Sequence, residues 1–240
     1  GVAAGDVIAL ADAIASSPAV TLAGVFTHLA VAEEVDNDFT RVQLDRFESS
    51  LAALAAAGHR PPVVHAANSA AAIIHSGARY DFTRPGIAIY GLAPSPGIAH
   101  LCPQLQPALS LHARVAFVKQ VRAGEGISYG LRHVFTRDTT VATLPLGYAD
   151  GVPRRLGLVG GEVLLAGVRC PIVGVVTMDQ LMVDCGEVTR TRPVAVGDHA
   201  VLVGRQGSDE ITVAEWAQRL GTIEYEVVCG LSPRLERRPV

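Results

Sequence analysis

A chain of 240 residues that is 49% hydrophobic and 18% charged has ample material for a packed core, which excludes wholesale disorder and allows one large domain or two modest ones. Its formal net charge is −3, and its arginines are scattered rather than gathered into a stripe, so no nucleic-acid or anionic-membrane partner is expected. No apolar run approaches the ~20 residues of a membrane span, and the opening Gly1-Val2-Ala3-Ala4-Gly5-Asp6 lacks the basic n-region of a signal peptide.

In chain order, residues 6–16 are rich in Ala, Leu and Ile at helical spacing and predict a helix. Leu22-Ala23-Gly24-Val25-Phe26-Thr27-His28 is a short apolar run with a polar end, which predicts a strand. Residues 38–57 carry Leu44, Phe47, Leu51 and Leu54 at spacings of three and four, an amphipathic helix stopped by Gly58. Pro62-Val63-Val64-His65-Ala66-Ala67-Asn68-Ser69 predicts a second strand, followed by an Ala-rich helix to Ile74. Phe82-Thr83-Arg84-Pro85-Gly86-Ile87-Ala88-Ile89-Tyr90-Gly91 predicts a third. Short apolar strands alternating with helices argue for parallel βα units. In a (β/α) barrel the strand ends line one mouth, so His28, Asn68 with Ser69, and Arg84 with Gly86 would share it. Three units cannot close a barrel, and earlier strands are therefore expected to lie outside this chain.

After Pro94-Ser95-Pro96-Gly97 the pattern changes. Residues 109–121, 139–146, 161–168, 170–176, 181–184 and 200–203 read as short strands punctuated by Gly, Pro and Asp, an antiparallel β-domain. Lys119 falls in the first of them and is the only lysine of the chain. Chemistry that needs a lysine Schiff base must use that residue or import one. A single clear helix follows over Ile211-Thr212-Val213-Ala214-Glu215-Trp216-Ala217-Gln218-Arg219-Leu220-Gly221, with Thr212 as N-cap, Glu215 completing a capping box and Gly221 as the stop. The boundary is expected near residue 103, giving part of a barrel over 1–102 and a β-domain over 103–240. Cys102, Cys170, Cys185 and Cys229 form no C-x-x-C pair. Reduced thiols in a cytoplasmic protein are expected, rather than a metal site or a disulfide framework.

Several local patterns allow both a chemical and a plain reading. Gly126-Ile127-Ser128-Tyr129-Gly130 sets a tyrosine in a glycine turn. It suits a half-buried ring, or a catalytic phenol whose pKa of about 10 a nearby cation would have to lower. Pro145-Leu146-Gly147-Tyr148-Ala149-Asp150-Gly151-Val152-Pro153-Arg154-Arg155 fits an exposed loop or a site. Val175-Val176-Thr177-Met178-Asp179-Gln180 places polar residues after a buried strand, with Met178 in the core on the plain reading. Asn68-Ser69 opens a helix whose N–H groups bind phosphate or are merely capped. Arg84-Pro85-Gly86-Ile87 adds a cation and a glycine that admits backbone N–H groups to an anion, and His28 suits a packed histidine or a site group.

Taken in order, Gly24-Val25-Phe26-Thr27-His28-Leu29-Ala30, His65-Ala66-Ala67-Asn68-Ser69, Arg84-Pro85-Gly86-Ile87-Ala88-Ile89-Tyr90-Gly91-Leu92, Ile127-Ser128-Tyr129-Gly130, Leu146-Gly147-Tyr148-Ala149-Asp150-Gly151, Met178-Asp179-Gln180, and Glu224-Tyr225-Glu226 before Cys229-Gly230-Leu231-Ser232 resemble the alanine racemase family. The resemblance implies the C-terminal part of a (β/α)8 TIM-like barrel followed by a mainly antiparallel β-domain, the fold-type III pyridoxal-phosphate architecture. It implies a cytoplasmic isomerase interconverting L- and D-alanine, supplying D-alanine for peptidoglycan, with pyridoxal 5'-phosphate as cofactor. It also implies a homodimer whose active sites are shared between subunits.

By that resemblance Tyr129 would be the catalytic base in the partner subunit's site. Met178 would offer its backbone N–H to the substrate carboxylate, and Tyr148 would line the site's mouth. Arg84 would face the pyridine nitrogen, with His28 linking it toward the tyrosine. Asn68 and Ser69, with Tyr225 and the backbone of Gly86 and Ile87, would bind the cofactor, Ser69 and Tyr225 at its phosphate. The family's Lys-Ala-x-Ala-Tyr-Gly segment, which carries the Schiff-base lysine, and its D-x-G-x-x-R-x-G segment do not occur here. Thr177 stands where many relatives carry cysteine. The chain is therefore expected to be inactive alone and to need an N-terminal segment. A serine or broad-specificity racemase and a non-catalytic binding or dimerisation module are the alternatives.

Overall fold

A computed structural model describes residues 1–239, and the chain divides into two units, Gly1–Ala108 and a second that begins at Leu109. In unit 1 the helical periodicities are realised as α1 (Val7–Ala15) and α2 (Phe39–Ala56). Phe47 and Leu54 turn inward from α2, and Gly58 ends the helix at φ 90°, a backbone that favours glycine. Strands β1 (Val25–Phe26) and β2 (Val64–His65) pair in parallel, and β2 leads into α3 (Ser69–Ile74). Their core is small-residue packing: Ala32, Ala67, Ala70, Ala71 and Ala78 with Leu29 and Ile98.

The third strand expected over Phe82 to Gly91 does not form. Only two ladder-like bonds survive, Asp81 N–H to Val64 O at 3.1 Å and Arg84 N–H to Ala67 O at 2.8 Å. Pro85 then removes the next donor, and the chain winds into a 3-10 turn over Ile87–Tyr90 that Gly91 closes at φ 70°. A side chain at Gly91 would also strike the carbonyl of Gln106.

In unit 2 the expected first strand breaks in two. Strands β3 (Leu111–Arg114) and β4 (Phe117–Val121) belong to different sheets. The change of partner falls at Val115 and Ala116, whose N–H groups bond Asp198 O and Thr143 O, both at 2.9 Å. Sheet one orders β10 (Leu181–Asp184), β7 (Thr139–Leu144) and β4. Sheet two orders β12 (Asp209–Ile211), β11 (His199–Gln206), β8 (Glu162–Leu165) and β9 (Val168–Pro171), with β3 also on β11. Ala166 at φ 54° and Gly167 at φ 78° make the tight β8–β9 turn. A small hairpin, β5 (Gly126–Ile127) with β6 (His133–Val134), adds to the strands read from sequence.

Helix α4 (Val213–Leu220) starts where its cap predicts, with Thr212 Oγ1 accepting from Glu215 N–H at 3.0 Å and Gly221 closing it. The reciprocal half of the capping box is absent. Glu215 turns its carboxylate to Arg169 and Arg219, both at 2.9 Å, and two guanidiniums outcompete one backbone N–H. A further helix, α5 (Glu224–Gly230), follows the single clear helix read from sequence. Among the described residues no helix is long and apolar enough to cross a membrane.

Candidate functional site

Two sets of groups emerge, one in each unit. In unit 1 the ends of β1 and β2 converge on Arg84. Its Nη2 donates to Thr27 O and Ala66 O, both at 3.0 Å, and lies 3.3 Å from His28 Nδ1. Its Nη1 makes a short hydrogen bond to His65 Nδ1, and the guanidinium carbon stands 5.4 Å from the centroid of Phe26. His65 is held flat between Phe26 (5.0 Å, 3°) and Phe82 (4.3 Å, 29°). Burial, then the charge of Arg84, lowers the His65 pKa, and a neutral ring is what Nδ1 needs to accept a proton from Arg84. Burial also draws the Arg84 pKa below the usual guanidinium value. The cation is thus locked by four partners before any ligand arrives.

Beside it, Ser69 is buried, and its hydroxyl oxygen accepts from Gly86 N–H at 2.8 Å and Ala88 N–H at 3.4 Å. The Ile87 N–H between them has no acceptor among the described residues. Open space lies in front of Gly86, where a Cβ would meet nothing within 4 Å. Asn68 does what the plain reading gives it: its Oδ1 caps α3 by accepting from Ala71 N–H at 2.9 Å. Ser69, at the start of α3, thus lies beside the Arg84–Ile87 stretch, although the strand expected to carry Arg84 does not form.

His65 escaped the sequence reading. Its signal was present, since it ends β2 as His28 follows β1, but its own short strand made it read as filler. Phe26 and Phe82, members of apolar runs in the sequence, are exposed.

In unit 2 a single segment, residues 174–178, ties three candidate residues together. Ser128, next to Tyr129, accepts from Val175 N–H at 3.1 Å and donates to Val175 O at 2.9 Å. Tyr148 N–H bonds Thr177 O at 2.9 Å and Ala149 N–H bonds Met178 O at 3.0 Å. Gly147 permits this approach, because any Cβ there would collide with the carbonyls of Thr177 and Met178. Asp150, nearly fully buried, accepts from Gly147 N–H at 2.9 Å and ties the loop to itself. Tyr129 is 73% exposed, Met178 54% and Tyr148 42%, so the core reading of Met178 does not hold. The Met178 N–H has no acceptor among the described residues. Tyr225 lies in the first turn of α5. Lys119 is exposed on β4 opposite Val141. Among the described residues no cluster of three or more His, Cys, Asp or Glu could hold a metal ion.

Comparison with known proteins gives this arrangement a family. The family description "Alanine racemase, N-terminal domain" matches residues 1–94, and "Alanine racemase, C-terminal domain" matches residues 108–239. The chain is 54% identical to the alanine racemase of Symbiobacterium thermophilum over 91% of this chain and 56% of that protein. It is 45% identical to that of Thermobifida fusca over 99% of this chain and 62% of that protein. It therefore spans little more than half the length of these relatives. The crystal structure of alanine racemase from Bacillus anthracis with bound L-Ala-P superposes with a TM-score of 0.85 at 42% identity, covering 92% of this chain and 56% of that one. The enzyme from a D-cycloserine-producing Streptomyces lavendulae gives 0.84 at 39%, covering 96% and 60%. The fold is that of these racemases, barrel residues followed in sequence by a β-domain, and the chain belongs to the alanine racemase family.

Proposed function

We propose that this chain serves a cytoplasmic, pyridoxal-phosphate-dependent racemase that interconverts L- and D-alanine and supplies D-alanine for peptidoglycan. The observation that carries the reading is Arg84, a cation fixed at the strand ends beside a buried serine and an open glycine. That donor set fits the cofactor: Ser69 with the Gly86–Ile87 backbone suits its phosphate, and Arg84 suits its ring nitrogen. When bound, pyridoxal phosphate supplies the electron withdrawal that makes the α-proton of an amino acid labile.

The chain's own groups then divide the work. A permanently cationic Arg84 at the ring nitrogen disfavours a proton there, which restrains the side chemistry of transamination. Tyr129 moves a proton at the α-carbon through its phenol oxygen. Its exposure and rigid turn suit a base offered to a second copy of the chain, as in a homodimer with shared sites. Met178 offers its N–H to the substrate carboxylate, and Tyr148 lines the approach. Racemisation needs an acid–base group on each face of the carbon, and residues 1–108 contain no lysine. We assign the anchoring lysine and second base to barrel residues other than those of this sequence.

The test combines the chain, pyridoxal phosphate and a lysine-bearing barrel segment, and follows optical rotation of L-alanine. D-alanine should accumulate, and Y129F should slow it by about 100-fold or more. A mixture that binds pyridoxal phosphate yet never racemises alanine rules the reading out.

A further inference from the structure

The segment at residues 174–178 is rooted between two strands that belong to different sheets. Strand β9 ends at Pro171 and β10 begins at Leu181, and a lone antiparallel bridge, Ile172 with Val183, joins them. Val173 N–H bonds Met182 O at 2.8 Å, so Ile172 and Val183 form a non-hydrogen-bonded pair, where facing residues stand closest. Continuing that register two residues outward on each side sets Cys170 opposite Cys185 on the same face. Cα atoms in such a pair lie about 4.5 Å apart, inside the range a disulfide spans.

Both cysteines are wholly buried and both are free thiols. Each sulfur lies near a carbonyl of its own strand, Cys170 Sγ 3.7 Å from Val168 O and Cys185 Sγ 3.6 Å from Val183 O. The two thiols also meet each other: a hydrogen bond from Cys170 favours ionisation of Cys185 and holds the Cys170 thiol far above its usual range. A disulfide between them is the same whichever sulfur reacts first.

We propose that Cys170 and Cys185 are an oxidative modification site, forming a disulfide that staples sheet one to sheet two beneath the segment carrying Met178. The oxidant is a peroxide small enough to enter where the ladder narrows to one bridge. Cys185 sulfur attacks one peroxide oxygen, the O–O bond breaks, and a sulfenic acid and water form. Cys170 sulfur then displaces that oxygen, giving the S–S bond and a second water. In sum, two thiols lose two protons and two electrons, and one hydrogen peroxide becomes two waters. The closed loop holds residues 174–178, to which Ser128, Tyr148 and Ala149 are bonded, so oxidation stiffens the support of the exposed tyrosines and of Met178.

The chain in hydrogen peroxide, alkylated without reduction and mapped as peptides, should yield a Cys170–Cys185 cross-linked peptide 2 Da lighter than the sum of its parts. Dithiothreitol should restore both thiols. Hydrogen exchange across residues 172–183 should slow by about tenfold or more in the oxidised form. C229S removes the exposed thiol and should leave the cross-link intact. Two outcomes overturn the proposal: alkylatable Cys170 and Cys185 after Cys229 has been oxidised, or a cross-link that always includes Cys229.

Discussion

Arg84 shows how much a single side chain can be asked to bond. Its guanidinium donates to two carbonyls and meets two imidazoles, a task for a planar fork rather than a point charge. R84K therefore leaves strand-end carbonyls short of donors, and we expect a loss of about 1–3 kcal/mol in unit 1 stability, read from the urea midpoint. An unchanged midpoint would contradict the geometry. His65 extends the point to pH. Its folded pKa lies below the ordinary imidazole value of about 6.5, so the unfolded chain binds its proton first as the medium is acidified. The stability it supports is complete above about pH 6.5 and declines as pH falls below that value toward the folded pKa. H65N should flatten this decline in denaturation series between pH 5 and 7.5, and a parent-like slope in H65N would place the titration elsewhere. Ser128 offers a test of a different kind. It sits at φ 67°, ψ 176°, a region nearly confined to glycine, held there by its two bonds to Val175. S128A loses the bonds and keeps the strain, whereas S128G loses both. S128G should be the more stable by about 1–3 kcal/mol, and the reverse order in urea would show that the turn is unstrained.

Besides their ladders, several elements of unit 2 are joined by one charged knot. Arg169 on β9 reaches Glu162 on β8 at 3.1 Å, Asp209 on β12 at 2.9 Å and Glu215 on α4 at 2.9 Å, while Arg219 reaches Glu162 at 2.8 Å. Burial alone would raise the Glu215 pKa, but the hydrogen bonds and charges of Arg169 and Arg219 outweigh it and the net direction is down. A carboxylate depressed on folding stabilises above its unfolded pKa, and that contribution fades as pH drops through the folded value. E215Q should therefore cost more than T212A near neutrality, the cap alone accounting for about 1 kcal/mol, and the gap should close in acid. Equal losses at pH 7 would reduce the knot to surface decoration.

The same elements show what a sequence conceals. Periodicity placed α1, α2 and α4 within a residue or two, because spacing and glycine stops are local. The nearness of Ser69 to Gly86 was suggested by the spacing of the short βα units. The split of β3 from β4 was not, since both halves alternate alike and only their partners differ. Nor was the loss of the third strand, although Pro85 was in plain view: its neighbours are strongly apolar and only the missing donor decides. Glu215 abandons its cap for arginines 46 and 4 residues away, and His65 gains its role from Arg84, 19 residues on. Such choices belong to tertiary neighbours, which local sequence does not carry.

At the scale of the molecule the two units differ in how their backbones are satisfied. Unit 1 has one ladder, two residues on each of two strands, and a two-stranded ribbon is marginal in water. Its helices leave Ile8, Leu10 and Phe39 substantially exposed, and Phe26 is 62% exposed. Unit 2 has a three-stranded and a five-stranded sheet, and β7 and β8 bury nearly every side chain. Local opening follows buried apolar packing and satisfied backbone, so the two units should not open together. Hydrogen exchange is expected to protect β7, β8 and β11 most strongly, with α1 and β1 exchanging far sooner. Limited proteolysis should likewise converge on a resistant fragment that begins near Leu109. That fragment, produced alone, should retain a cooperative urea transition, because its sheets, its salt-bridge knot and the Val121, Ile127, Phe135, Val141 and Val173 cluster lie wholly within it. If cleavage instead begins inside the sheets, or unit 1 proves the better protected, ladder closure does not set the order of opening, and the small-residue core around Ala67, Ala70 and Ala71 contributes more than its area suggests.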